Sequence, residues 1–239
     1  NFFKPLQPTF SHLTLKASYS LTADRGPSSI TNSTSIFQAY NPYRPFSSDK
    51  ESGIALYQTG NDELTYEKKH ELNLGIDAGF LNNRINVTFD VYRRNNYDLI
   101  GVVTTQGINR EVSSYGNVAS MKSHGEELSI STTNIKNKDF SWTTNFIYSH
   151  AVNEVTDLMS KASTMDYIQG SGFAKKGYPV RALFSIPFVG LSEDGYPMFI
   201  NDKGNVTVGG INFQERENND YLKYEGPTDP VYTGSLGNI

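Results

Sequence analysis

Alternation is the dominant signal in this chain. Over 12–22, "HLTLKASYSLT", Leu13, Leu15, Ala17, Tyr19 and Leu21 take every second position, with Lys16, Ser18 and Ser20 between them. Over 68–80 the apolar set is Leu72, Leu74, Ile76, Ala78 and Phe80, set against Asn73, Gly75, Asp77 and Gly79. Over 85–97, Ile85, Val87, Phe89 and Val91 alternate with Asn86, Thr88 and Asp90. Two more segments, 125–135 and 140–152, continue the theme; in the second, Phe140, Trp142, Phe146, Tyr148 and Val152 share a face with Thr144 and His150. Successive side chains on a strand point to opposite faces, so each segment predicts a β-strand with one apolar and one polar side. A further strand is expected to begin near 232.

The connections fall into two kinds. Residues 81–84, Leu81-Asn82-Asn83-Arg84, and 136–139, "KNKD", are tight, and the paired Asn residues tolerate the positive φ of a hairpin turn. The intervals 23–66, 98–123 and 153–231 are long, polar and mostly irregular, with one apolar patch, "RALFSIPFVGL", at 181–191. Long and tight connections alternate in order, which puts every tight turn at one end of the sheet. Soluble domains rarely carry loops beyond about 15 residues and favour strands of about 5–6. These strands approach the ~9–11 residues that a tilted strand needs to cross a bilayer. Lipid offers no hydrogen-bond partners, so a spanning sheet pairs every backbone group, turns an apolar face outward and keeps a polar face toward a wet interior. The expectation is an all-β, antiparallel up-and-down transmembrane barrel segment, occupying 1–239, with long extracellular loops.

Composition is compatible with this. Mean hydropathy is -0.48, and no apolar run is long enough for a membrane-spanning helix, a criterion that half-apolar barrel strands escape. A net charge of -4 without a Lys/Arg-rich block gives no electrostatic reason to expect nucleic acid. The absence of cysteine excludes a disulfide framework and thiol chemistry. The chain opens on Asn1-Phe2-Phe3 and closes at Gly237-Asn238-Ile239, where another strand would be starting, and so reads as a piece of a longer protein.

The segment 60–100, "GNDELTYEKKHELNLGIDAGFLNNRINVTFDVYRRNNYDLI", resembles the barrel of SusC/RagA-type TonB-dependent outer-membrane transporters. The matching positions are Asn61, Leu64, Glu67, Asn73, Gly75, Asp77, Asn82, Asn83, Arg84, Tyr92, Asp98 and Leu99. Segments 115–130, 140–158, 177–199 and 226–239 are similar to later parts of such barrels, in the same order. Asp62, Tyr66, Ser123-His124 and Ser235 depart from the family pattern, at loops and turns. The resemblance implies a barrel of about 22 strands enclosing an N-terminal plug domain, which is absent from these residues. It also implies residence in the outer membrane of a Gram-negative, Bacteroidota-type bacterium, import of oligosaccharides or peptides, energy delivered through TonB, and a SusD-like surface lipoprotein as partner. The surrounding partner would be outer-membrane lipid. By barrel convention the tight turns face the periplasm.

No catalytic constellation is visible, and neither an enzyme activity, a cofactor nor a metal site is expected. His12, His70, His124 and His150 are scattered, and "GSGFAKKG" (170–177) fails both nucleotide-binding patterns at Lys175 and Tyr178. Glu126 and Glu127 are neighbours on one strand and therefore point to opposite faces. "NDKGN" (201–205) lacks the repeated acids of a calcium loop and reads as a plain turn. For substrate contact the candidates are Tyr40, Tyr43, Tyr57, Tyr167, Tyr178 and Tyr196, whose rings stack on sugars or pack on a partner while keeping a polar tip. Their competing role is to order long loops or join an aromatic girdle, a position that Phe140 and Trp142 suit best. A secreted carbohydrate-binding β-sandwich would show similar alternation, but would seal the apolar faces under a second sheet.

Overall fold

The computed structural model describes residues 9–26, 36–40, 53–58, 61, 63–104 and 113–239. In chain order the elements are β1 (Phe10–Asp24), β2 (Ile36–Tyr40), β3 (Gly53–Gln58), β4 (Glu67–Phe80), β5 (Ile85–Thr104), β6 (Ser113–Lys136) and β7 (Ser141–Leu158). Then follow α1 (Thr164–Ile168), β8 (Ala182–Ser185), β9 (Phe188–Leu191), β10 (Pro197–Ile200), β11 (Val206–Thr207), β12 (Lys223–Pro227) and β13 (Tyr232–Asn238). Six strands form one antiparallel sheet in the order β1-β4-β5-β6-β7-β13, an unclosed arc of barrel wall.

Register confirms the two-faced reading. Leu15, Ile76, Phe89, Leu128 and Tyr148 are successive cross-strand partners on one face. One residue along, Thr14, Asp77, Thr88 and Ser129 form the matching row on the other. Among the described residues no second layer covers the apolar side: Leu15 is 70% exposed, Tyr19 65% and Leu236 69%. Even Leu74 and Ile76, flanked by strands on both sides, remain more than two-fifths exposed. The β-sandwich alternative therefore has no second sheet to stand on. The apolar core of the described residues lies instead under the loops, where Ala162, Tyr167, Ala182, Phe184 and Leu222 cluster.

The tight turns occur where expected, with one addition. Leu81, Asn82 and Asn83 all adopt left-handed φ, of 52°, 55° and 62°. Asn is suited to this region; Leu is not. Neighbouring strands hold the turn: Asn83 N–H donates to Ser11 Oγ at 3.0 Å, and the Arg84 guanidinium donates to the carbonyls of Thr133 (3.3 Å) and Asn134 (2.7 Å).

Strands run past the ends that alternation gave them. β5 continues to Thr104 and β6 begins at Ser113, so most of the expected loop 98–123 is sheet. The cause is a bulge between Asn96 and Leu99, where Asp98 sits at φ 59° and throws the alternation out of phase. The interval 153–231 is likewise not irregular throughout; it holds the end of β7, α1 and β8 through β12. At 24 residues, β6 is about 80 Å long at ~3.3–3.4 Å per residue, so its upper part stands clear of a ~25 Å apolar band even when tilted.

Candidate functional site

Three features of this wall bear on function: the margin of its apolar face, its polar face, and the lobe folded from the longest loop. The margin is informative because it slants. Read upward from the tight turns, the last apolar outward residue is Leu21 or beyond on β1, Leu72 on β4, Val91 on β5 and Leu128 on β6. Their neighbours in register are His70 beside Leu21, Arg93 beside Leu72 and Glu126 beside Val91. From β1 to β6 the margin thus drops by two residues, about 7 Å, for each ~4.8 Å step between strands, and it levels at β7, where Tyr148 stands opposite Leu128. That slope corresponds to strands inclined at about 55° to the normal of a flat boundary. Outward positions recur only every second residue, so the step is coarse; the slope is steeper than the ~35–45° of membrane barrels but leans by a comparable amount. A planar apolar environment outside the chain would select such an edge. Aromatic rings follow the lower edge, with Phe140 and Trp142 both exposed, Trp142 donating to Asn238 Oδ1 at 3.2 Å.

On the polar face, Lys16 pairs with Asp77, and Glu71 receives Arg94 at 2.9 Å and Lys69 at 2.6 Å. The Arg94 guanidinium lies 5.4 Å from the Tyr92 ring centroid. Tyr92 in turn covers Gly125, where any Cβ would stand 2.6 Å from the His150 carbonyl oxygen and 2.7 Å from the Tyr92 hydroxyl. Glu126 faces outward and meets His150 at 3.1 Å, while Glu127 lies opposite Asp90 on the polar side, as their adjacency on a strand requires. Among the described residues, no group of three or more His, Asp or Glu side chains is placed to hold a metal. This is a polar, charged wall.

The sequence motifs gather at the two ends of the wall and act structurally. At the upper rim, Asn61 Nδ2 donates to the Tyr115 carbonyl at 2.8 Å. Asn117 brackets Thr65, accepting from its N–H at 2.8 Å and donating to its carbonyl at 2.9 Å. Glu67 accepts from the Ile100 N–H at 2.8 Å and Lys68 reaches Asp98 at 2.8 Å. Together they fasten the chain entering β4 onto the bulge of β5. Asn117, within the segment 115–130 that resembles such barrels, supplies the central clasp, a role its resemblance did not specify.

The long loop between β7 and β13 folds into a lobe with its own core. Ser163 caps α1, its hydroxyl and backbone N–H both held by Asp166, which keeps that carboxyl below its ordinary range. Thr164, fully buried, donates to Asn219 Oδ1 at 2.7 Å. Lys175 enters the core with Nζ between 5.6 and 5.8 Å from the rings of Tyr167, Tyr178 and Phe184, and donates to the Asn219 carbonyl at 2.9 Å. The lobe is stitched to β7 above the reach of β13: Val155 N–H donates to the Tyr178 carbonyl at 2.9 Å and Gly177 N–H to the Val155 carbonyl at 2.8 Å. The apolar patch 181–191 is divided, Ala182 and Phe184 entering the core while Phe188, Val189 and Leu191 stay exposed on the β9-β10-β11 sheet.

The candidate tyrosines are not brought together. Tyr167 is buried in the lobe core, where desolvation pushes its phenol up, and Tyr178 packs beside it. Tyr196 is 60% exposed at the head of β10. Tyr40 and Tyr57 lie on β2 and β3, and Tyr43 falls outside the described residues. The Asn201 side chain closes the 201–205 segment as a turn, accepting from Lys203 N–H at 3.0 Å and Asn205 N–H at 2.9 Å.

Comparison with known proteins agrees with this geometry. The family model described as TonB dependent receptor-like, beta-barrel, matches residues 6–234. TonB-dependent receptor P39 of Formosa agariphila is 33% identical across 74% of the chain, which covers 16% of that protein. TonB-dependent receptor SusC of Bacteroides thetaiotaomicron is 27% identical across 98% of the chain, covering 24% of SusC. Among solved structures, that of the RagAB peptide transporter superposes with a TM-score of 0.76 over 98% of the chain and 25% of its own, at 24% identity. The chain therefore spans a quarter or less of these relatives. An exposed apolar band on inclined strands, a polar inner wall and a family match over nearly its whole length lead to one assignment: the chain belongs to the TonB-dependent receptor β-barrel family, within which it resembles SusC and RagA.

Proposed function

We propose that the protein containing this chain is an outer-membrane transporter of Bacteroidota type that imports oligosaccharides or peptides, with energy supplied through TonB and a SusD-like lipoprotein at its outer face. The observation that carries the reading is the slanted apolar margin, which lipid accounts for and a protein interior does not. One relative supplies a cargo class by name, the solved RagAB structures being of a peptide transporter, and the oligosaccharide class rests on the resemblance to SusC-type barrels. This chain's part is to wall the conduit. Its polar face meets water, and its lobe, pinned to β7, stands at the outer mouth.

Among the tyrosines, the exposure of Tyr196 supports a contact with cargo or partner, whereas the burial of Tyr167 and the packing of Tyr178 support a role in the lobe core. The test is growth of a strain deleted for the full-length gene on peptides or on oligosaccharides as sole nutrient, complemented by the intact gene or by one lacking its TonB-contacting segment. A selective growth defect, rescued only by the intact gene, is expected. Rescue by the TonB-uncoupled gene would remove the energy source from the proposal, and unaffected uptake of both nutrient classes would remove the cargo. Tyr196→Ala is expected to lower uptake without lowering the amount of assembled protein.

A further inference from the structure

The tight-turn end of the wall holds a cleft that the transport reading does not use. Pairing between β5 and β6 ends at Ile85 and Thr132, whereas β6 runs on beside β7 as far as Lys136. A bulge between Thr133 and Ile135 turns this extension aside. The left-handed run Leu81-Asn82-Asn83, held by Ser11, carries the facing turn in its own direction. Between the two lies a cleft of about 410 Å³, lined by 82–84 and 133–137. That volume falls within the ~300–1,000 Å³ usual for ligand sites.

The charge around the cleft is one-sided. Within 81–84 and 133–139, Arg84, Lys136 and Lys138 stand against one acid, Asp139. On the same sheet Lys16, Lys69, Arg94 and Lys122 each meet a carboxylate. Among the described residues, Arg84, Lys136 and Lys138 have no carboxylate within ion-pair distance, and residues 1–8 add Lys4 and no acid. Arg84 is also fixed in place, its Nε and Nη2 donating to the Thr133 and Asn134 carbonyls at 3.3 and 2.7 Å. Its Nη1 edge has no acceptor among the described residues, so an oriented guanidinium lines the cleft without a counter-ion. Asn82 and Asn137, one from each turn, add carboxamides without a side-chain partner among the described residues. Each carboxamide offers both a donor and an acceptor.

We propose that this cleft binds a short acidic stretch of an extended protein chain on the periplasmic side. The two lining cations select carboxylates, Arg84 as a fork matched to two oxygens and Lys136 as a mobile point charge. The carboxamides match the N–H and C=O groups of a peptide unit, whereas a lipid phosphate, an acceptor only, leaves their oxygens unmatched. The periplasmic source rests on the barrel orientation read above. The binding chemistry does not, so the two can fail separately.

The experiment is fluorescence anisotropy of the full-length protein in neutral detergent at low salt, with a labelled peptide of alternating Asp and Glu and its Asn/Gln counterpart as probes. Only the acidic probe is expected to bind, and its affinity falls as salt rises. Lys136→Gln is expected to weaken it about threefold, the scale of an exposed ion pair, and Lys136→Glu about tenfold. Arg84→Gln is expected to cost about tenfold, and Arg84→Lys to recover part of that. Lys203→Gln, in the β10–β11 turn of the lobe, changes nothing. Should Arg84→Gln fail to assemble, the two Lys136 variants, at an exposed position, carry the test. Equal binding of the two probes overturns the proposal, as does unchanged affinity in both Lys136 variants. So does displacement of the probe by inorganic phosphate or phosphatidylglycerol as readily as by unlabelled acidic peptide, which would mark a site for any anion.

Discussion

A lysine placed at Phe89 and another at Thr88 give the sharpest test of which solvent wets each face. The two positions are adjacent on β5, yet Phe89 lies between Ile76 and Leu128 on the apolar side, and Thr88 lies between Asp77 and Ser129 on the polar side. Phe89 is also inside the band, with Ile85 and Val87 below it and Val91 above before Arg93 marks the margin. A lysine near the bilayer midplane of a barrel costs ~2–4 kcal/mol, and about 3 kcal/mol lowers the folded-to-unfolded ratio by a factor of ~150. At Thr88 the same lysine stays in water and finds Asp77 opposite, so its expected effect lies within about 0.5 kcal/mol. Lysine is chosen over aspartate because a carboxylate at Thr88 would confront Asp77 and confuse charge repulsion with facing. The assay is denaturant-dependent folding of the full-length protein into lipid vesicles, followed by the mobility difference between folded and heat-unfolded barrel. Equal losses at the two positions, or a harmless Phe89→Lys, would refute the assignment of lipid to the apolar side.

Other outcomes follow from the same geometry. Gly125→Ala is expected to reduce assembled protein, because its Cβ would press on the His150 carbonyl oxygen as well as on Tyr92; Tyr92→Ala in the same chain relieves only the second contact, and full recovery of barrel yield by that pair would contradict the backbone clash. Lys175→Met removes the ammonium from three rings and the Asn219 carbonyl, and should loosen the lobe by about 1–2 kcal/mol, read as faster hydrogen exchange across 160–226 with the sheet unchanged. Glu215 accepts the N–H groups of Arg216, Glu217 and Asn218, which holds its carboxyl below the usual range. A depressed folded pKa stabilises this turn above the ordinary carboxylate value of about 4.3 and is lost as pH falls through the folded value. Protection of those three amides should therefore persist at pH 5 and fail in stronger acid, while Glu215→Gln should show no such step.

How much was legible in the sequence differs by level. Period-two alternation specified the strands, their facing and the two tight turns, because side-chain direction along a strand is a local property and one face met a uniform environment. Leu13 to Leu21 and Leu72 to Phe80 could be assigned without any knowledge of their partners. The extra length of β5 and β6 was not legible, since a single left-handed residue, Asp98, shifts the phase of the pattern that the reading depends on. Nor were the clasp at Asn117 and the caged Lys175, whose partners lie far away in sequence and whose residue types suit loops equally well.

The tertiary structure decided relations between strands. The slant of the apolar margin exists only once register aligns Leu72 with Arg93 and Val91 with Glu126; in the one-dimensional chain these are unrelated transitions. It also divided the loop aromatics, sending Tyr167 and Tyr178 into a core and leaving Tyr196 at the surface, because burial is settled by the packing of distant segments rather than by local period. Local chemistry determined what each strand is, and long-range pairing determined the surface the strands make together.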